Sequence, residues 1–332
     1  MAGYNTIRGL RVKYLSADPA NVEAGQVWYN STTGSLKVNA QGTNNTWASG
    51  GNYPTVVSNI QSAGTQTAGL AFGGVTQNSP QIVTTLTSSY NGTSWTGLSA
   101  PSDLGSAINW GGGCGTQTAA LCFSGTGPGQ PASGSVISQV WNGSAWTGTP
   151  NMNTARMADA GCGTSTAALC AGGYNPPGSP ASVIATEEYN GSSWSSVNNI
   201  NTIRGYVVGN GLQTAAVIYG GYDWGGPGAR NNTEEYDGTN WTSVNNMPAA
   251  VYGHGGSGEQ TAVIMWSSPY CALYDGTNWT NTTSMTSARG ATSKQIGSGN
   301  NGVALGGDNA GLVNSTEEYE KIGLGDRTIT TS

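Results

Sequence analysis

The sequence predicts an all-β fold, a ring of six four-stranded antiparallel blades closed by a strand from near the N-terminus. Three observations predict it. A hairpin tag recurs as GTQTA at Gly64 and Gly115, GTSTA at Gly163, GLQTA at Gly211 and GEQTA at Gly258, with a degenerate copy, GSGNN, at Gly297. A second tag follows each of the first five, as YNGTSW from Tyr90, WNGSAW from Trp141, YNGSSW from Tyr189, and YDGTNW from Tyr236 and Tyr274. Finally, residues 201–248 parse into four short strands within one repeat, and a propeller builds each of its blades from four such strands.

In that repeat, residues 205–210 and 215–219 are predicted to pair about a turn at 211–213. Gly220 and Gly221 stop the second strand, and a Gly/Pro-rich loop leads to a third strand at 233–236. Asp237-Gly238 signals a hairpin turn with positive φ at its centre. A fourth strand at 241–244 begins with Trp241. The last repeat carries a third strand, TEEYE, but no Trp follows it; Trp47, in GTNNTW, stands ahead of the first repeat instead. Trp47 and its neighbours are therefore expected beside residues 317–321, where they cover an edge that would otherwise invite aggregation.

The unit runs in the order Arg, inner hairpin, Gly-Gly, Tyr, then Trp and a Met/Pro turn. That order resembles the kelch repeat, and the resemblance extends over residues 41–323. It departs at Ser124-Gly125 and Ser267-Ser268, which stand where Gly-Gly is expected, and in the shorter spacing from the fifth repeat to the sixth.

Only 8% of residues are charged, against about a quarter in an average globular domain. Disorder is not implied, because 11 Trp and 15 Tyr recur on schedule, whereas disordered chains are poor in aromatics. The net charge is −6 and the 11 basic residues are scattered, so nucleic acid is not an expected partner. No apolar run is long enough to span a membrane, and MAGYNTIRGLRVKYL lacks the apolar core of a secretory signal. Cys114, Cys122, Cys162 and Cys170 form two copies of GCGTxTAALC in consecutive repeats. With Cys271 they are expected to be small buried free thiols.

Residues 1–40 do not share the repeat. They read as an arm with a strand at 9–15 and a hairpin at 25–38 turning at 31–34. This hairpin resembles a segment common in tail-fibre and other virion proteins of tailed bacteriophages. The longer stretch IRGLRVKYLSADPANVEAGQVWYN is similar to the N-termini of kelch-like virion proteins of marine phages. Three parts result: an arm at 1–40, a propeller at 41–323 and a polar tail at 324–332. The resemblance implies a non-enzymatic tail-fibre or capsid-decoration protein of the virion, assembled in the host cytoplasm and present as a homo-oligomer or in many copies. Its arm would hold other virion proteins and its propeller a host-surface glycan or receptor. A carbohydrate-active kelch enzyme of the mutarotase or oxidase kind, or a cellular kelch scaffold, are the alternatives.

Strand direction places the variable loops and the turns that lead into each first strand on one face. Arg156, Arg204 and Arg289 lie at those turns. They are read either as a ring of guanidinium groups at a channel mouth, gripping an acidic glycan, or as donors to loop carbonyls. The loop at 222–232 gathers Tyr222, Trp224 and Arg230 among glycines, and Tyr174 opens the equivalent loop of the preceding repeat. Aromatic faces stack on sugar rings, so a glycan is expected across these two loops with Arg204 at the inner rim. Glu187-Glu188, Glu234-Glu235 and Glu317-Glu318 open third strands. Adjacent strand residues face opposite ways, so no pair is expected to perform acid–base catalysis. A single histidine, His254, builds neither a metal site nor a catalytic triad alone; no catalytic residue, metal or cofactor is expected. Asn91, Asn142 and Asn190 match a glycosylation acceptor but double as hairpin turns.

Overall fold

The computed structural model describes residues 12–19, 26–41, 45–129, 134–176, 181–290, 292, 294–299, 301–320 and 324–328. The chain is all-β among them and divides into two compact units, Met1–Thr46 with Lys321–Ser332, and Trp47–Glu320.

The first unit is a four-stranded sheet in the order Lys13–Leu15, Val27–Asn30, Ser35–Gln41, Leu324–Thr328. Its first pair is parallel and the other two are antiparallel. The hairpin turns where predicted: Gly34 takes a φ of 67°, and Asn30 Oδ1 accepts the amides of Thr32 and Thr33. Asp18 ties the sheet together by accepting from Lys37 Nζ at 2.5 Å, Asn30 Nδ2 at 2.8 Å and the indole of buried Trp28 at 2.9 Å. These bonds, that of Lys37 foremost, hold its carboxyl down to about 2. The predicted tail is corrected here, because residues 324–328 pair with Ser35–Gln41. The arm needs outside help to order itself, since so short a segment cannot bury a core. The last strand supplies a ladder that no local pattern announces. Residues 9–11 of the predicted strand lie outside the described residues.

The second unit holds six four-stranded sheets among its described residues, one per repeat, antiparallel in every pairing whose register is described. Sheet four, for example, runs Val208–Leu212, Ala215–Tyr219, Thr233–Tyr236, Trp241–Val244. Sheet six runs Gly297–Ser298, Asn301–Leu305, Thr316–Glu320, and Thr46–Ser49 lies beside Thr316–Glu320. Each first strand packs on the next in chain order, and the short first strand of sheet six touches that of sheet one. This arrangement is that of a β-propeller.

The tag glycines show why the hairpins need them. Gly211 has a φ of 104°, and a Cβ there would meet the carbonyl oxygen of Ala215 at 2.3 Å. Gly64, Gly115, Gly163, Gly258 and Gly297 repeat the geometry, which only glycine adopts without strain. In repeat two, Ser124 keeps the left-handed conformation with a φ of 59°, so that departure from Gly-Gly is tolerated. Two local expectations shift. The first strand of sheet four begins at Val208 rather than 205, because Tyr206 has a φ of 51°. At Asp237 only Gly238 turns left-handed; the carboxylate accepts the amides of Thr239 and Asn240 at 2.8 and 2.7 Å and closes a wider turn.

Six apolar clusters lie between successive sheets. Leu169 of sheet three meets Ile218 and Trp241 of sheet four, and Val303 and Leu305 of sheet six meet Tyr90 and Trp95 of sheet one. All five cysteines are free and buried, as expected. Polar side chains stitch the same seams. Each fourth-strand Trp donates its indole N–H to the hydroxyl opening the preceding sheet's third strand: Trp146 to Thr87, Trp194 to Ser138, Trp241 to Thr186, Trp279 to Thr233, and Trp95 to Thr316 of sheet six. Tag glutamines do the same to carbonyls. Gln117, Gln213 and Gln260 each span the second and third strands of the sheet before, and Gln66 reaches Tyr319. Each bond contributes about 1 kcal/mol net. Trp47 differs, because Cys271 stands where the other repeats place Ser or Thr; its indole donates to the Thr283 carbonyl at 3.0 Å, and its ring lies 5.2 Å from Tyr319.

Candidate functional site: an aromatic face of loops

The turns leading into the first strands share one backbone signature. Asn59, Trp110, Ala158, Tyr206 and Gly253, each five residues before a tag glycine, all have φ between 51° and 61°. The amide of Trp110 donates to the Asn59 carbonyl and that of Ala158 to the Trp110 carbonyl. For a non-glycine residue this conformation costs about 1–2 kcal/mol, and bulky side chains there are strained positions of the sort found at functional sites.

Two of these strained residues are aromatic, and they meet edge to face. The rings of Trp110 and Tyr206 lie 4.6 Å apart. From Tyr206 the contact runs on to Trp224 at 5.0 Å, from Trp224 to Tyr174 at 4.1 Å and Tyr222 at 4.8 Å, and from Tyr222 to Tyr252 at 5.0 Å. Six rings therefore form one continuous surface. Trp224 is 39% exposed and Tyr252 54%, while the other four are half-buried. Burial raises the Tyr206 phenol above its ordinary range, with Tyr174 and Tyr252 adding to it.

The loop that carries Trp224 is built, not merely solvated. Tyr222–Asp223 pairs with Gly228–Ala229 as a small hairpin that the sequence reading takes for loop. Arg230 closes it on Asp223 at 2.7 Å, and the other Asp223 oxygen accepts the Gly225 amide at 2.9 Å. The Trp224 amide donates to Ser182 Oγ of the neighbouring repeat at 3.4 Å. Tyr174, Tyr222 and Trp224 thus assemble as expected, whereas Arg230 is occupied as a brace. Trp110, Tyr206 and Tyr252 were missed. Their signal was positional, since Trp110 and Tyr206 stand at the same offset from their tags, but attention to the variable loops passes over it.

Of the two readings of the arginines, the geometry matches the structural one. Arg156, Arg204 and Arg289 are buried. Each pairs with the first glutamate of its own repeat's third strand: Arg156 with Glu187, Arg204 with Glu234 at 2.6 Å, and Arg289 with Glu317 at 2.5 Å. Arg156 also donates to the Gly172 and Ala185 carbonyls. Each glutamate in turn accepts two amides of the leading turn, as Glu234 does from Asn201 and Thr202. A desolvated guanidinium must be paired, and a carboxylate two strands away supplies the pair more closely than any ligand at a rim. The second glutamates face the other way. Glu188 accepts from Tyr236 and Glu235 from Tyr274, at 2.9 and 2.8 Å, and Glu318 accepts from Tyr90, each tyrosine belonging to the next sheet. Both members of each pair are structural.

Beneath Trp110 and Tyr206 lies a cavity of ≈ 10 Å³, lined also by Gln61, His254 and Lys294, which is room for about one water. Lys294 Nζ donates to the carbonyls of Asp159 at 3.2 Å and Val207 at 3.3 Å. Burial lowers its pKa and raises that of Asp159. His254 is pushed down to about 3, by burial first and by Lys294 second, so it is neutral near pH 7. It sits just ahead of Gly255–Glu259, the first strand of sheet five, with its ring 5.5 Å from Tyr219. On the tag side a cavity of ≈ 600 Å³ is lined by Gly64, Gly115, Gly211, Gly258 and Gly297.

No protein-family model matches the sequence, and no curated protein is similar to it. Solved structures that superpose on the chain include that of YjhT, a kelch-type propeller, with a TM-score of 0.61 at 14% identity over 80% of this chain and 95% of that one. At that identity the likeness establishes a shared propeller-like fold.

Proposed function

We propose that residues 47–320 form a closed, six-bladed kelch-like propeller, and that the chain is a non-enzymatic virion protein of a tailed bacteriophage. It is displayed on the tail fibre or the capsid, in many copies, to bind glycan on the host surface. The observation that carries the binding role is the continuous face of six aromatic rings. Apolar surface of this kind is costly to leave in water and marks an interaction site, and flat rings suit the C–H faces of sugars.

Closure is supported by the seam between sheets six and one, where Trp95–Thr316, Tyr90–Glu318 and Gln66–Tyr319 repeat the bonds of the other seams. The virion role is supported by the sequence resemblance of residues 7–30. A terminal unit built from both chain ends suits an anchor to other virion proteins. Gold-labelled antibody against the purified chain, applied to intact particles of a phage encoding it, tests the placement. Label on tail or head is expected; particles that lack the chain while host lysate contains it overturn the reading.

A further inference from the structure

Resting on the glycan-binding reading, we infer that the aromatic face takes a neutral saccharide and not an acidic one. The inference follows from where the charges of this face have gone. Recognition of a sialic, uronic or sulfated sugar needs a cation free to meet the anion. Arg204 is buried against Glu234, Arg230 is held by Asp223, and Lys294, half-buried at the cavity it lines with Trp110 and Tyr206, keeps its ammonium on two carbonyls. Among the described residues of the face, each guanidinium has a carboxylate partner and the Lys294 ammonium has two carbonyls, and the Arg204 nitrogens that lack a hydrogen bond are themselves buried.

What the face does offer is rings and phenol hydroxyls. Trp224 and Tyr174 stack on one another, their centroids 4.1 Å apart and their planes 30° from parallel, with Trp224 39% exposed, and Tyr206, Tyr222 and Tyr252 border them with hydroxyls that both donate and accept. An uncharged pyranose matches this on both counts: its axial C–H face covers the rings, and its equatorial hydroxyls bond the phenols. An acidic sugar would leave its carboxylate or sulfate over apolar surface without a counter-charge, which is the costly arrangement.

The strain at Tyr206 fits the same account. Its left-handed backbone brings the phenol into contact with Trp110, Trp224 and Tyr174 at once, so the turn bends to complete the surface. Glycine at this position keeps the backbone and removes only the ring.

The test is a glycan array, followed by calorimetry with two panels: neutral hexose oligosaccharides, and sialylated, uronic and sulfated ones. The full chain is compared with Trp224→Ala and Tyr206→Gly, each checked for an unchanged melting curve. Binding to neutral sugars is expected, insensitive to salt because no ion pair is screened, with about a tenfold or greater loss in each variant, equivalent to about 1.4 kcal/mol. Acidic-only binding that weakens with salt overturns this inference and leaves the glycan reading intact. Neutral binding unaltered in both variants also overturns it, by placing the sugar elsewhere. Binding to neither panel overturns the glycan reading itself.

Discussion

Repeats three, four and six solve one packing problem with charges, and repeats one, two and five solve it without them. At the seventh residue before the tag glycine stand Arg156 and Arg204 in repeats three and four, with Arg289 serving repeat six from one residue further back. Val57, Ile108 and Val251 stand there in repeats one, two and five. The partner position on the third strand changes in step: Glu187, Glu234 and Glu317 in the first group, Ser88, Gln139 and Ala272 in the second. All twelve side chains are buried. The sheets around them have the same strand order. The fold therefore does not require the ion pair, but a repeat that has one partner must have both. A lone buried charge costs far more than a matched apolar pair.

The largest expected effect comes from breaking that match. Arg204→Val leaves Glu234 buried without its cation and should cost about 3–5 kcal/mol, read from urea denaturation. The double variant Arg204→Val/Glu234→Ser gives repeat four the pair found in repeat one. It should recover most of the loss. A double variant as unstable as the single one would show that the two groups of repeats are not interchangeable solutions.

Acid should separate the groups as well. For Glu317 burial alone raises the carboxyl pKa, but the Arg289 hydrogen bond and the amides of Thr286 and Ser287 outweigh it, so the net direction is downward from 4.5. A carboxylate with a depressed folded pKa contributes stability that is present above its unfolded value and lost as pH falls through the folded one. Stability should therefore fall below about pH 4.5 in part through this residue. In Arg289→Val/Glu317→Ser that part of the slope should be absent, although the protein at pH 7 remains folded. An unchanged slope below pH 4.5 would remove Glu317 from the acid response.

Much of this was open to a reader of the sequence, and some was not. The tags mark turns whose chemistry is local, so six repeats and most strands follow directly. The Arg–Glu pairing was legible too, because TEE opens the third strand only in repeats that carry the arginine; neither reading of the arginines, as a ligand ring or as donors to loop carbonyls, used that co-occurrence. The left-handed turns at Trp110 and Tyr206 were hidden, since neither residue favours that conformation and the sheets on both sides impose it. Pairing of Ser35–Gln41 with Leu324–Thr328 was hidden for another reason. Strand partners so distant in sequence leave no mark in either segment. The aromatic face was half legible: loop composition exposed Tyr174, Tyr222 and Trp224, while its centre came from turns.

The smallest expected effect tests the seams and not the interiors of the repeats. After the glutamate-bearing sheets three and four, the next tyrosine donates to a carboxylate, as Tyr236 does to Glu188 at 2.9 Å. After sheets two and five no glutamate stands at that position, and the tyrosine meets a threonine hydroxyl instead: Tyr189 with Thr149, and Tyr319 with Thr282. Burial first, and Glu188 second, raise the Tyr236 phenol above its ordinary range, so it stays protonated and donates at all accessible pH. Hydrogen bonds to charged acceptors contribute about 1.5–3 kcal/mol and neutral ones about 1; the half-exposed Glu188 brings the first figure toward its lower end. Tyr236→Phe should therefore destabilise by about half a kcal/mol more than Tyr189→Phe, roughly 1.5 against 1 kcal/mol. Adding Glu188→Gln to Tyr236→Phe should cost little more, because the bond is already gone. Equal losses for the two tyrosines would mean that the carboxylates serve the seams no better than the threonines do.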